Sequence, residues 1–100
     1  MLKRVVFEGK LINIALNDRR VREEIGNWSY EIGGIEYMDY EERNGELKIK
    51  GTFPVLPIYL GNKNEPGVTL LVFINPEDES VIGIGYDYRR GLLPENLNIS

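Results

Sequence analysis

The dipeptide Asn44-Gly45 sits between two long stretches, "WSYEIGGIEYMDYEER" and "ELKIKGTFPVLPIYL", in which the residue pattern runs with a period of two. Asn-Gly enters the left-handed conformations of a tight hairpin turn at little cost, so it is the strongest short-range hairpin signal a chain carries. A two-residue turn there sets Arg43 opposite Glu46, Glu41 opposite Lys48 and Asp39 opposite Lys50. These are three opposite-charge pairs on one face. The same register puts Tyr40 beside Ile49 on the other face, with Met38 and Phe53 nearby. The acidic run Asp39–Glu46 is therefore expected to be a solvated cross-strand ladder and not a site.

Each arm of this hairpin, spanning residues 28–60 in all, is about 15 residues long. Straight, that is about 50 Å at roughly 3.3 Å per residue, against a radius of gyration near 13 Å for a domain of about 100 residues. The arms must bend. Gly33-Gly34 in one arm, and Gly51, Pro54 and Pro57 in the other, are where they can. The prolines also suggest that the second arm is partly a sheet edge. Trp28, Tyr30 and Ile32 share one parity, whereas Ile35 and Tyr37 sit on the other. Either a bulge at the glycines shifts the phase or both faces are covered there.

Before the hairpin, residues 1–26 read as a helical segment in two pieces. Leu11, Ile14 and Ala15 recur at helical spacing, as do Val21 and Ile25, and the phase slips at "ALND". Asn17 or Asp18 can accept a backbone N–H and start the second piece, and Gly26 suits a left-handed stop. The competing reading makes "RVVFEGKLINI" a β-hairpin turning at Glu8-Gly9. After a loop, "GNKNEPG", a second hairpin over 67–90 turns around "PEDE". Pairing Asn75 with Ser80 puts Leu71, Phe73, Ile82, Ile84 and Tyr86 on one face. Leu70, Val72 and Ile74 then stand across from Gly85, Gly83 and Val81, a thin face on which a helix can settle. Apolar residues on both faces make "VTLLVFI" a central strand. In the tail, 91–100, Leu92, Leu93, Leu97 and Ile99 can cover an open face. The expected fold is one α+β domain: a helical segment packed on a bent four-stranded antiparallel sheet.

Chemistry-bearing residues are scarce. The chain has no histidine and no cysteine, which removes the commonest general base, the thiolate nucleophile and the usual zinc ligands. No glycine-rich phosphate loop precedes a helix, since "GIG" at 83–85 lies within a strand. Glu77, Asp78 and Glu79 are contiguous, without the alternating spacing of a calcium loop, and read as a turn. No catalytic residue, metal or cofactor is expected. Six Lys/Arg against two acids in residues 1–22, and eight acids against one Arg in 23–46, give the chain two faces of opposite sign within a net charge of −4. That balance makes it a poor general binder of nucleic acid, whose phosphates call for clustered Lys and Arg. No apolar run reaches the roughly 20 residues needed to span a bilayer. The start "MLKRVVFEGK" loses its apolar run at Glu8, unlike a signal peptide, so a cytoplasmic location is the default.

The order helix, long hairpin, hairpin resembles that of cystatin-like and PepSY-like small α+β domains. "INIALNDRRV" is similar to the helix-break-helix opening of certain uncharacterised archaeal proteins of that style, and "FINPEDESVIGI" to their last hairpin. The resemblance implies a regulatory or inhibitory partner of peptidases. Cystatin activity does not follow, because the "QxVxG" loop is missing. The leading expectation is a non-catalytic interaction module, a homodimer or the binder of a protein partner. Its candidate contacts are Ile35, Tyr37, Tyr86 and Tyr88, apolar side chains that about 25 residues of helix leave uncovered. One rival is a small enzyme or ligand carrier with a helix–sheet pocket in which Glu36 or Asp39 moves protons. Another is single-stranded nucleic-acid binding through Tyr86, Tyr88, Arg89 and Arg90.

Overall fold

The structure, a computed structural model, describes the backbone of residues 2–44, 47–61 and 67–88, and their side chains except at 2–6, 42–44 and 47–49. Helix α1 (Leu2–Asn17) and the short α2 (Arg19–Ile25) are separated at one residue, Asp18. That residue is extended (φ −73°, ψ 131°), and its Oδ1 accepts the amides of Arg20 at 2.9 Å and Val21 at 3.1 Å. A carboxylate bonded to the free amides of a first turn starts a new helix while ending the old one. Gly26 closes α2 at φ 50°, a left-handed conformation open to glycine at no steric cost. The alternative hairpin at Glu8-Gly9 is overturned: both residues lie inside α1. Leu11 and Ala15, about one turn apart on α1, share its buried face, and both are wholly inaccessible to solvent.

The rest is an antiparallel sheet of β1 (Ser29–Ile32), β2 (Glu36–Asn44), β3 (Leu47–Gly61), β4 (Thr69–Asn75) and β5 (Ser80–Asp87). Its order is β1-β3-β4-β5, with β2 also on β3. The chain is thus α+β, with its N-terminal helices packed on an open sheet. Five strands replace the four expected because the first hairpin arm is broken. Ile32 pairs with Ile58 and Glu36 with Val55, so three residues of one arm face two of the other. The extra residue is a bulge, the first of the two explanations open for the parities of Ile32 and Ile35. Gly33 donates its amide to the Pro57 carbonyl at 2.8 Å. Pro57, which has no N–H to give a ladder, stands opposite this break.

The hairpin register differs from the sequence expectation by two residues. Asn44 pairs with Leu47, Glu41 with Lys50 and Asp39 with Thr52, and Arg43 falls opposite Lys48. Tyr40 meets Gly51 in place of Ile49. Residues 45 and 46 lie outside the described residues, but the flanking pair Asn44–Leu47 excludes a reversal in which Arg43 faces Glu46. A two-residue slip keeps every side chain on its face, so the face assignments survive although the charge ladder does not. Tyr40 packing explains the choice. In this register its ring sits 4.9 Å from that of Phe73 and 6.3 Å, edge-on, from that of Phe53. Burying such a ring outweighs turn preference and exposed ion pairs worth a few tenths of a kcal/mol.

A second correction concerns β5. Asn75 pairs with Ser80 and Ile74 with Val81 as expected, but Phe73 then pairs with Gly83, Leu71 with Gly85 and Leu70 with Tyr86. Ile82 is the extra residue of a β-bulge, and beyond it the faces exchange. The glycines therefore do not lie under the helices. They face the other way.

Two packed layers result. On the helix side, Leu56, Ile58, Leu60, Leu70, Val72, Ile74 and Val81 meet Leu11, Ala15, Val21 and Ile25 in one buried cluster. On the opposite side, the β2–β3 arm runs past the end of β4 and turns Tyr40 and Phe53 onto Phe73 and Gly83, enclosing Val55. Part of the face expected to be open is thus covered from within the chain. Among the described residues, no helix is long and apolar enough to cross a membrane.

Candidate functional site

The four expected contact residues do not form one surface. Ile35 occupies the break between β1 and β2 and is half-buried against the helix-side core. It is a packing residue first. Tyr37 stands on β2 opposite Pro54 and is 62% exposed. Tyr86 and Tyr88 do come together, near the end of β5, with ring centroids 6.3 Å apart and planes 21° from parallel. Tyr88 is 79% exposed and Tyr86 44%.

The Tyr86 ring is held in place. Its hydroxyl donates to Glu24 Oε1 on α2 at 2.8 Å, across 62 positions of sequence. That bond to a carboxylate, reinforced by partial burial and the Glu24 charge, raises the Tyr86 pKa above its ordinary value of 10.0. The bulge brings this about. By exchanging faces after Ile82 it turns Tyr86 toward the helices, where Glu24 can reach it. No spacing in the sequence announces the contact.

The carboxylates do not converge. Glu36 and Asp39 are three apart on one strand and so lie on opposite faces of β2. Asp39 accepts a hydrogen bond from the Thr52 hydroxyl at 2.7 Å. A shallow depression of about 370 Å³ borders this pair, lined by Asp39, Tyr40, Glu41, Lys50, Gly51 and Thr52. In the β4–β5 turn, Asn75 accepts the Glu77 amide at 3.0 Å and donates to Asp78 at 3.1 Å. Glu79 turns away at φ 53° to meet Lys10 Nζ at 2.8 Å, which holds its carboxyl below the usual range. The Asp78 carboxylate thus serves the turn and that of Glu79 a helix contact, while Glu77 joins the turn through its backbone amide. Among the described residues, no three acids cluster as a metal would require.

Sequence reasoning missed three further contacts among the described residues. Arg20 donates to the Val81 carbonyl at 2.7 Å, Tyr40 donates to the Ile82 carbonyl at 3.2 Å, and Lys10 pairs with Glu79. Together the first two satisfy carbonyls at the β5 bulge, where the ladder is interrupted. Arg89 and Arg90 lie outside the described residues.

No family model, curated protein or solved structure matches this chain.

Proposed function

We propose that the chain is a small non-catalytic interaction module that associates with itself or with a protein partner through tyrosines on its sheet. The observation that carries this reading is the stacked, exposed pair Tyr86–Tyr88, braced by Glu24. Large aromatic side chains held in one rotamer lose little entropy on binding, which makes them suitable anchors. Tyr37 adds a second exposed ring on the β2 arm. A peptidase as partner follows only from the likeness of element order to PepSY-like domains, an analogy of fold that does not by itself set function. The divergence of Glu36 and Asp39 argues against their acting as an acid–base pair, and the net charge of −4 against phosphate binding.

Sedimentation equilibrium over a wide concentration range tests the self-associating form. Association that weakens on Tyr86→Ser with Tyr88→Ser supports it. A mass that stays monomeric throughout, with a salt-sensitive titration of single-stranded DNA, transfers the tyrosines to the nucleic-acid reading instead.

A further inference from the structure

We infer that the β2–β3 arm is a two-position register switch: β2 slides two residues along β3, between the docked position described above and one in which Tyr40 leaves Phe73 and Gly83. The inference concerns the arm alone and does not depend on the tyrosine surface. The docked register runs against the arm's own preferences. It sets Arg43 opposite Lys48, a like-charge pair, and matches one acid with one base, Glu41 with Lys50. Sliding β2 by two residues gives three such matches, Asp39–Lys50, Glu41–Lys48 and Arg43–Glu46, and turns the chain at Asn44-Gly45. No side chain changes face. Against the slide stand the Tyr40 ring 4.9 Å from Phe73, its hydroxyl on the Ile82 carbonyl at 3.2 Å, and the Thr52–Asp39 bond at 2.7 Å. Local preference and tertiary contact thus oppose each other in one element, which brings two arrangements close in free energy.

The fold leaves room for the slide. Among the described strands β2 pairs with β3 alone, so its movement breaks no second ladder. At the β1 end, residues 33–35 face Leu56 and Pro57; after the slide the same three face the four residues 54–57. The bulge passes from one arm to the other, beside Pro54, which has no N–H to lose and which β4 does not pair. Met38, on the same face as Tyr40, arrives opposite Gly51, where its unbranched side chain fills the space the ring has left. With three opposite-charge pairs against one, the slid position gains as ionic strength falls.

The chain has no cysteine, so an introduced thiol pair reports the register. Asp39→Cys with Thr52→Cys joins positions that are opposite in the docked register. Asp39→Cys with Lys50→Cys joins positions that are opposite only after the slide. When docked, the second pair is diagonal, about 7–8 Å apart and out of disulfide reach. Gly83→Ala places a Cβ 2.5 Å from the Tyr40 hydroxyl and so crowds the docked ring. It is expected to speed formation of the 39–50 disulfide by about fivefold or more and to slow that of the 39–52 disulfide. Added salt should reduce the 39–50 rate in both backgrounds. A 39–50 disulfide that forms no faster with Gly83→Ala overturns the switch. If Gly83→Ala does not fold, the unmodified chain decides. Millisecond exchange of the β2 amides and the facing part of β3, growing as salt is lowered, supports the switch, and its absence at every salt concentration overturns it.

Discussion

Tyr86 shows how one side chain can join the two layers of this fold. Its hydroxyl bonds Glu24 on α2, and its ring supports Tyr88. Ionising the phenol would remove the donated proton and place a second negative charge beside the carboxylate. The folded-state pKa is therefore raised, and the stabilisation is complete below about 10.0, then lost as pH climbs through the raised value. Glu24→Gln removes the charge but keeps an acceptor, so Tyr86 should titrate earlier, closer to an ordinary tyrosine. Tyrosinate absorbance followed through an alkaline titration reads this directly. Superimposable curves for the two proteins would mean that the bond is not made in solution. Neither partner stands out among the six tyrosines and the many glutamates of the sequence.

At the scale of elements, α1 carries a glycine that its geometry does not need. Gly9 lies in the middle of the helix, and a Cβ built there meets nothing within 4 Å. Glycine inside a helix costs about 0.5–1 kcal/mol relative to alanine, because the unfolded chain has more freedom to lose. Gly9→Ala should raise stability by about that amount in denaturant titration. A loss would show that the backbone at Gly9 is not helical in solution and would reopen the hairpin reading of "RVVFEGKLINI". Gly67 is the contrasting case: a Cβ there would lie 1.5 Å from the Leu60 carbonyl oxygen, where β3 and β4 close through the Leu60 amide and the Val68 carbonyl. One glycine is dispensable and the other is required by close approach. The sequence marks both with the same letter.

For the whole molecule, the decisive feature is the arm that folds under the sheet. Tyr40 is its contact point. A Cβ at Gly83 would come within 2.5 Å of the Tyr40 hydroxyl and 2.9 Å of its ring, and the ring has Phe73 and Phe53 as neighbours that limit its retreat. Gly83→Ala should therefore cost about 1–3 kcal/mol, as overpacking of a filled core does. Tyr40→Ala should cost about 3–5 kcal/mol through lost burial, by analogy with other aromatic truncations. Combined, the two should cost less than their sum, since the clash needs both side chains. Strict additivity in equilibrium unfolding would separate the arm from β5 and leave the second layer unsupported.

The sequence by itself determined what local chemistry can determine. Asp18 starts α2 because its carboxylate finds amides two and three residues on, and Gly26 ends α2 because it alone pays nothing for a left-handed φ. Alternation placed the strands, and the parity conflict between Ile32 and Ile35 marked Gly33-Gly34 as either a bulge or a stretch covered on both faces, of which the pairing shows the bulge. Registers were another matter. Slipping a hairpin by two residues keeps every side chain on its face and gives up only a turn preference and exposed ion pairs, and a bulge at Ile82 breaks no local pattern strongly, so contacts between distant elements chose. Tyr40 against Phe73, Arg20 on Val81 and Glu24 under Tyr86 made that choice, and side chains 33 to 62 positions apart meet only once the chain has folded.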